Sequence, residues 1–140
     1  MALTLDEAAR RYARERTEEN LGGVEEALIS DARAGEKFFV MFTMGEIEGQ
    51  RVLSYSMTVR ESGDRYFRIC TSQREIDLCS DFPEMARPVE GDQFLTMLVN
   101  SDKVDGVLVN PGNEEGYCYL SRTSLRGRLL TGAMPRGEEE

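Results

Sequence analysis

Three short apolar segments, separated by turn residues, follow one another from residue 37 to residue 71. They read KFFVMFTM, RVLSYSMTVR and RYFRICT, and they are rich in the aromatic and β-branched residues that favour strands. The second segment alternates, so that its larger apolar side chains share one face, which predicts a strand with one face on the core. The links EIEGQ and ESGD are short, and short links join neighbouring antiparallel strands. The three segments therefore predict an antiparallel meander.

Helix start and stop signals precede this meander. Thr4 and Glu7 have the spacing of a capping box, in which each residue bonds the backbone amide of the other. The pair Gly22-Gly23 predicts the end of this first helix, and a second helix over residues 24–34 is expected to close at Gly35.

Two further helices are predicted after the meander. Ser72 and Glu75 have the spacing of a second capping box at the start of a short helix. Asp92 is expected to cap a longer helix. The apolar stripe of that helix consists of Phe94, Leu95, Leu98 and Val99.

The remaining apolar segments complete the predicted sheet. EMARPVE is interpreted as an edge strand because the missing amide of Pro88 costs least where it faces solvent. DGVLVN and YCYLS are two more strands, and RTSLRGRLL is a final amphipathic turn or helix. We predict an α+β fold with a single mixed, mostly antiparallel sheet of about five to six strands and helices packed mainly on one face.

The predicted organisation is one α+β domain with two flanking segments. Residues 1–35 form an N-terminal helical segment, residues 36–130 form the domain, and residues 131–140 form a frayed acidic tail.

Net charge limits the kinds of partner that the chain is expected to bind, and cysteine content indicates the cellular compartment. Acidic residues outnumber basic ones by 26 to 17, giving a net charge of -9, which repels polyphosphate and anionic lipid. No apolar stretch approaches the length of about 20 residues that a membrane helix needs. Three cysteines without metal-site spacing, and no apolar signal segment, predict free thiols in a reducing cytoplasm. The sequence thus predicts a cytoplasmic protein that binds neither nucleic acid nor membrane.

Histidine is absent from the chain, and this excludes several kinds of active site. Histidine is the commonest general base and metal ligand, so Ser-His-Asp hydrolases, Cys-His hydrolases and histidine-containing zinc sites are ruled out. We expect no enzymatic activity, no cofactor and no metal site.

The segment Asn110-Pro111-Gly112 admits two interpretations. A glycine-containing loop can cradle phosphate, but this one lacks the Lys-Ser/Thr that leads into a helix, and Glu114 and Glu115 follow it. Proline and asparagine account for a structural turn without any ligand. We favour the turn, in which Gly112 or Asn113 is expected to adopt a left-handed conformation.

Two other candidate sites also admit a structural interpretation. Cys70 precedes a segment that ends in Arg74 and Glu75, but it lacks the glycine-containing anion loop of thiolate enzymes, so Cys70 is interpreted as an apolar strand residue. A basic cluster near the last helix is a possible contact for an anion or an acidic partner segment; it consists of Arg122, Arg126 and Arg128.

Seven methionines are a further feature of the chain. Met41, Met44 and Met57 fall in the first two predicted strands, where core filling is the default role. An exposed face of methionine and aromatic side chains would instead favour binding to a partner.

The order of the segments resembles the SseB protein N-terminal domain family. The resemblance covers roughly residues 36–125 and is carried by a strand like FFVMF, a long hairpin, RYFRICTSQREI, a helix containing FLTMLVNSDKVDG, and VLVNPGNEEGYCYLS. Thr71-Ser72, Asp105-Gly106 and Asn110-Pro111 match the family pattern. The resemblance implies an α+β domain and brings no catalytic residues with it.

We predict a non-enzymatic cytoplasmic SseB-like domain that mediates protein–protein interaction or regulation, with self-association as a homodimer as one form of it. The alternative is a small-molecule or anion-binding sensor or enzyme near the last corner of the chain. Its site would comprise Tyr117, Cys118, Arg122 and Arg126, with Cys118 partly exposed and its pKa lowered.

Overall fold

The computed structural model describes residues 3–79 and 84–131. The helices are α1 (Leu5–Arg14), α2 (Glu18–Arg33), α3 (Gln73–Asp77), α4 (Gly91–Asn100) and α5 (Arg122–Thr131). The strands are β1 (Lys37–Ile47), β2 (Gln50–Tyr55), β3 (Met57–Val59), β4 (Arg65–Cys70), β5 (Glu84–Glu90), β6 (Gly106–Val109) and β7 (Cys118–Ser121). The predicted α+β class is confirmed. The predicted frayed tail lies outside the described residues, apart from Thr131 at the end of α5.

The described sheet has seven strands, one more than the upper end of the prediction, because one predicted strand divides in two at Ser56. Residues before Ser56 pair with β1, and residues after it pair with β4. Ser56 itself is buried and donates its backbone amide to the carbonyl of Met41 at 3.0 Å. The chain thus changes its neighbouring strand at this position without leaving the sheet.

The sheet is mixed and mostly antiparallel, as predicted. Its main path runs β2-β1-β4-β6-β7, with β3 paired to β4 and β5 paired to β1. The β4–β6 pair is parallel, and the other described pairs are antiparallel. Among the described strands β5 pairs with β1 alone, which places Pro88 on an edge strand.

The main core lies between one face of the sheet and the helices α1, α2, α4 and α5. Its largest fully buried members include Leu28, Phe94, Leu98, Leu120 and Leu125. A smaller cluster of Met41, Cys70 and Cys79 lies on the opposite face, where Ile76 of α3 packs against it. Helices therefore cover mainly one face, and the short α3 covers part of the other.

Several helix boundaries differ from the prediction. The capping box at the start of α1 is confirmed, with Thr4 Oγ1 accepting from the Glu7 amide at 3.2 Å and Glu7 Oε1 accepting from the Thr4 amide at 2.9 Å. Gly22-Gly23 does not end this helix: α1 ends at Arg14, and the glycines lie inside α2, which Thr17 caps.

A tertiary contact accounts for the glycine at position 22 of α2. A Cβ atom on Gly22 would lie 2.9 Å from Nη2 of Arg128, so the missing side chain leaves room for that guanidinium.

Asp92 is not the cap of α4, because Glu90 occupies the N-cap position and the helix begins at Gly91. No described helix combines the length and the apolar character needed to cross a membrane.

Candidate functional site

The Asn110-Pro111-Gly112 segment forms a turn between β6 and β7. The Asn113 amide donates to the Asn110 carbonyl at 3.1 Å, which closes the turn. Asn110 is the residue with the left-handed backbone, at φ 58°, so the prediction that Gly112 or Asn113 would take this conformation is wrong. Asparagine tolerates this conformation better than most residues because its short side chain can bond nearby backbone groups.

Gly112 packs directly against the end of α3. A Cβ atom on it would lie 2.7 Å from the carbonyl carbon and oxygen of Leu78. The neighbouring Asn113 donates from Nδ2 to Glu75 Oε2 at 3.2 Å. The turn is therefore filled by protein atoms on this side.

The second predicted capping box is only half present. Ser72 Oγ accepts from the Glu75 amide at 3.4 Å and so caps α3. The Glu75 carboxylate, 6% exposed, bonds Asn113 instead of returning to the Ser72 amide, because the turn after β6 lies within its reach.

The three arginines of the predicted basic cluster have separate surroundings. Arg128 donates from Nε to Glu25 Oε1 at 2.5 Å and from Nη1 to Glu26 Oε2 at 3.3 Å. Arg122 is half-buried and donates from Nη1 to the Val99 carbonyl at 3.4 Å. Arg126 is exposed. The cluster is thus not one basic surface, since Arg128 is neutralised by α2.

The reactive thiol proposed for the last corner is contradicted by its burial. Cys118 is 2% exposed, and burial raises the pKa of its thiol to about 12, with Arg16 lowering it and Glu25 raising it further. The alternative site required a partly exposed Cys118 with a lowered pKa. Tyr117 is 37% exposed, and the guanidinium of Arg16 lies 5.3 Å from the centre of its ring.

A surface that the sequence indicated only in part lies on the outer parts of the β1–β2 hairpin and the neighbouring β3–β4 pair. We call it the hairpin patch. It consists of Met44 (46% exposed), Leu53 (36%), Tyr55 (36%), Met57 (43%) and Val59 (62%).

The strand register places all five side chains of the hairpin patch on the same face of the sheet as the main core. Met44 lies opposite Leu53, and Tyr55 lies opposite Phe42, which packs against that core. Met57 lies opposite the buried Phe67. Side chains directly opposite each other in an antiparallel pair share a face, so the patch continues the core beyond the helices.

A chain of aromatic contacts connects the hairpin patch to the core. The ring centre of Tyr55 lies 4.8 Å from that of Phe42 and 5.0 Å from that of Phe67. Phe67 in turn lies 5.9 Å from Phe94 of α4. These contacts hold the inner edge of the patch in place, while its outer side chains remain accessible.

The outer end of the hairpin is a two-stranded ribbon. Pairing between β5 and β1 reaches Thr43, whereas β1 pairs with β2 as far as Ile47. Among the described residues, positions 44–47 therefore pair on one side only. Glu46 and Arg51 lie opposite each other near the tip, so the charges there are balanced.

The sequence contained a partial signal for this surface. The alternation in RVLSYSMTVR predicted an apolar face, and that face was expected to lie on the core. The helices do not extend over its outer half, so Met44 and Met57 are exposed; Met41 is buried on the opposite face, in the cluster with Cys70 and Cys79.

Within residues 3–79 and 84–131, no group of three or more Cys, Asp or Glu side chains is placed to hold a metal ion. Comparison with protein-family models, with curated proteins and with solved structures finds no match to this chain. The resemblance to the SseB N-terminal domain family therefore remains a prediction.

Proposed function

We propose that this chain is a non-enzymatic protein-binding domain of SseB type that docks a protein partner on the hairpin patch. The observation that carries the proposal is the presence of five large apolar side chains, each 36–62% exposed, on the core-side face of two strand pairs, β1–β2 and β3–β4, that meet at Ser56. Soluble proteins seldom expose contiguous apolar side chains without a partner, whereas single exposed apolar residues are common.

The composition of the hairpin patch also supports binding. Methionine adapts its shape to an apolar partner at little cost, and tyrosine adds contact area together with a polar hydroxyl. The aromatic contacts of Tyr55 hold it in place before binding, so less conformational entropy is lost when a partner docks.

We propose that the partner docked on the hairpin patch is a different protein, which carries an apolar segment flanked by basic residues. Each copy of this chain has a net charge of -9, so pairing two copies would bring like charges together. A basic partner gains attraction in the same geometry and associates faster at low salt. A homodimer through this patch is the rival outcome.

Residence in the cytoplasm and the lack of nucleic-acid binding remain part of the proposal. The acidic balance and the three cysteines support them. The absence of histidine supports a role without catalysis. The anion-sensor alternative loses its support because Cys118 is buried and its pKa is raised.

Site-specific photo-crosslinking in cells tests the proposal. A benzophenone amino acid replaces Leu53 in the patch, and a matched variant carries it at Leu78, which is 45% exposed and lies at the end of α3. We expect adducts with a distinct protein from position 53 and none of these from position 78. Mass spectrometry of the adduct is expected to identify a protein with a basic, apolar segment at the crosslink. Identical adducts from both positions, or adducts of this chain with itself alone, would overturn the assignment.

A further inference from the structure

Two buried thiols lie side by side on the face of the sheet opposite the main core. The Sγ atoms of Cys70 and Cys79 are 4.0 Å apart, and the two residues are 1% and 2% exposed. The Cys70 thiol also lies 3.7 Å from Sδ of Met41. Because a disulfide bond is about 2 Å long, the two sulfur atoms need to approach each other by about 2 Å to form one.

The element that carries Cys79 is the one able to make this movement. Cys70 ends β4, which is paired on both sides, with β1 and with β6. Cys79 follows α3, which has five residues, and an isolated helix of that length is unstable. The position of α3 therefore depends on its tertiary contacts, which include Ile76 against the buried cluster, Gly112 against Leu78, and the bond between Asn113 and Glu75.

A cleft lies beside this region on the Cys70 side. Its volume is about 620 Å³, and Cys70 and Thr71 lie in its wall. Asp6, Asp31 and Glu36 also line it, together with one cation, Lys37. This lining favours a small cationic reagent over an anionic one.

We propose that Cys70 and Cys79 are a redox-sensitive dithiol that a small disulfide oxidises to an intramolecular disulfide. One cysteine loses its proton and attacks a sulfur atom of the oxidant, whose S–S bond breaks and whose first half leaves as a thiol. The other cysteine loses its proton and attacks the protein sulfur of this mixed disulfide, and the second half leaves as a thiol. The two protein thiols are oxidised together, and the oxidant is reduced to two thiols.

The third cysteine does not take part. Cys118 belongs to the main core, whereas Cys70 and Cys79 form the cluster on the other face of the sheet. The new bond closes a ring from residue 70 to residue 79 and fixes α3 against β4. Thr71 and Glu75 lie within this ring, and both bond the turn after β6, so the oxidation state also affects that turn.

The test is peptide mapping of the full chain after oxidation with cystamine, a small disulfide with two ammonium groups. Trypsin cleaves after Arg74, between the two cysteines, so the proposed bond joins two tryptic peptides. We expect this linked pair, the loss of two hydrogens in mass, and one remaining thiol at Cys118. Three intact thiols, a stable cysteamine adduct without the internal bond, or a bond to Cys118 would each overturn the proposal.

Two variants distinguish formation of the Cys70–Cys79 disulfide from nonspecific oxidation of the chain. Cys118→Ser is expected to form the Cys70–Cys79 bond as the parent does, whereas Cys79→Ser is expected to lose it completely. Far-ultraviolet circular dichroism checks that both variants are folded. If Cys79→Ser does not fold, the peptide map of the parent chain still decides the question.

Discussion

The side-chain amide of Asn110 holds Thr71 by two hydrogen bonds. Asn110 Oδ1 accepts from the Thr71 backbone amide at 2.9 Å, and Nδ2 donates to Thr71 Oγ1 at 3.1 Å. Thr71 follows the last residue of β4, and Asn110 follows the last residue of β6. These bonds therefore join the carboxyl ends of the parallel pair.

Replacing Asn110 is expected to lower the free energy of unfolding by two separable effects. Asn110→Ala removes the bonds to Thr71 and places alanine at φ 58°, for a total of about 3 kcal/mol. Asn110→Gly removes only the bonds, because glycine accepts this φ, and is expected to cost about 2 kcal/mol. Urea denaturation measures both. A loss below about 0.5 kcal/mol for Asn110→Ala would contradict this role.

Arg128 is expected to stabilise the packing of α5 on α2. Its partner Glu25 is 5% exposed and also accepts a hydrogen bond from Ser124 Oγ at 2.8 Å. Arg128→Met leaves this buried carboxylate without its cation, and we expect a loss of about 2 kcal/mol, because the arginine itself is partly exposed. The matched control Arg126→Met changes an exposed side chain and should alter stability by less than about 0.5 kcal/mol. Equal losses in the two variants, measured by urea denaturation, would show that the ion pair is not responsible.

Cys118 is expected to make stability depend on alkaline pH. Burial raises the pKa of its thiol from 9.0 to about 12, so the folded state keeps the proton where the unfolded state loses it. The contribution of the buried, protonated Cys118 thiol to the free energy of unfolding is complete below about pH 9. It decreases by about 1.4 kcal/mol per pH unit as the pH rises toward 12.

The variant Cys118→Ala isolates this effect from other groups that titrate at alkaline pH. We expect the stability difference between the parent chain and the variant to shrink by about 1 kcal/mol from about pH 9 to about pH 10. Urea denaturation at each pH measures this difference. A difference that stays constant over this range would contradict the assignment.

Local signals in the sequence predicted most of the fold. The alternation and turns after Lys37 identified the antiparallel pairs β1–β2 and β3–β4, but not the direct pairing of β1 with β4 that departs from a simple meander. The spacing of Thr4 and Glu7 identified the start of α1. The misplaced boundaries depended on distant residues. Gly22 lies within a helix next to the guanidinium of Arg128, more than 100 residues away in the chain, and no local pattern reports such a contact.

The candidate site was harder to predict, for a similar reason. The sequence placed Arg122, Arg126 and Arg128 together, but whether they form one basic surface depends on Glu25 and Val99 of other helices. The apolar face of the second strand was visible in the sequence. That its outer half is uncovered depends on how the helices pack on the sheet, where Phe94 of α4 contacts Phe67, and the local pattern does not report this packing.

The binding affinity of the crosslinked partner, once purified, tests the central claim most directly. The dissociation constant is compared for the parent chain, for the double variant Leu53→Ser/Met57→Ser, and for the control Leu130→Ser, whose side chain is 66% exposed on α5. We predict that the double variant weakens binding by at least about tenfold, since apolar side chains at the centre of an interface carry much of the binding energy. The control should bind as the parent does. Unchanged binding by the double variant would contradict the assignment of the hairpin patch as the docking surface.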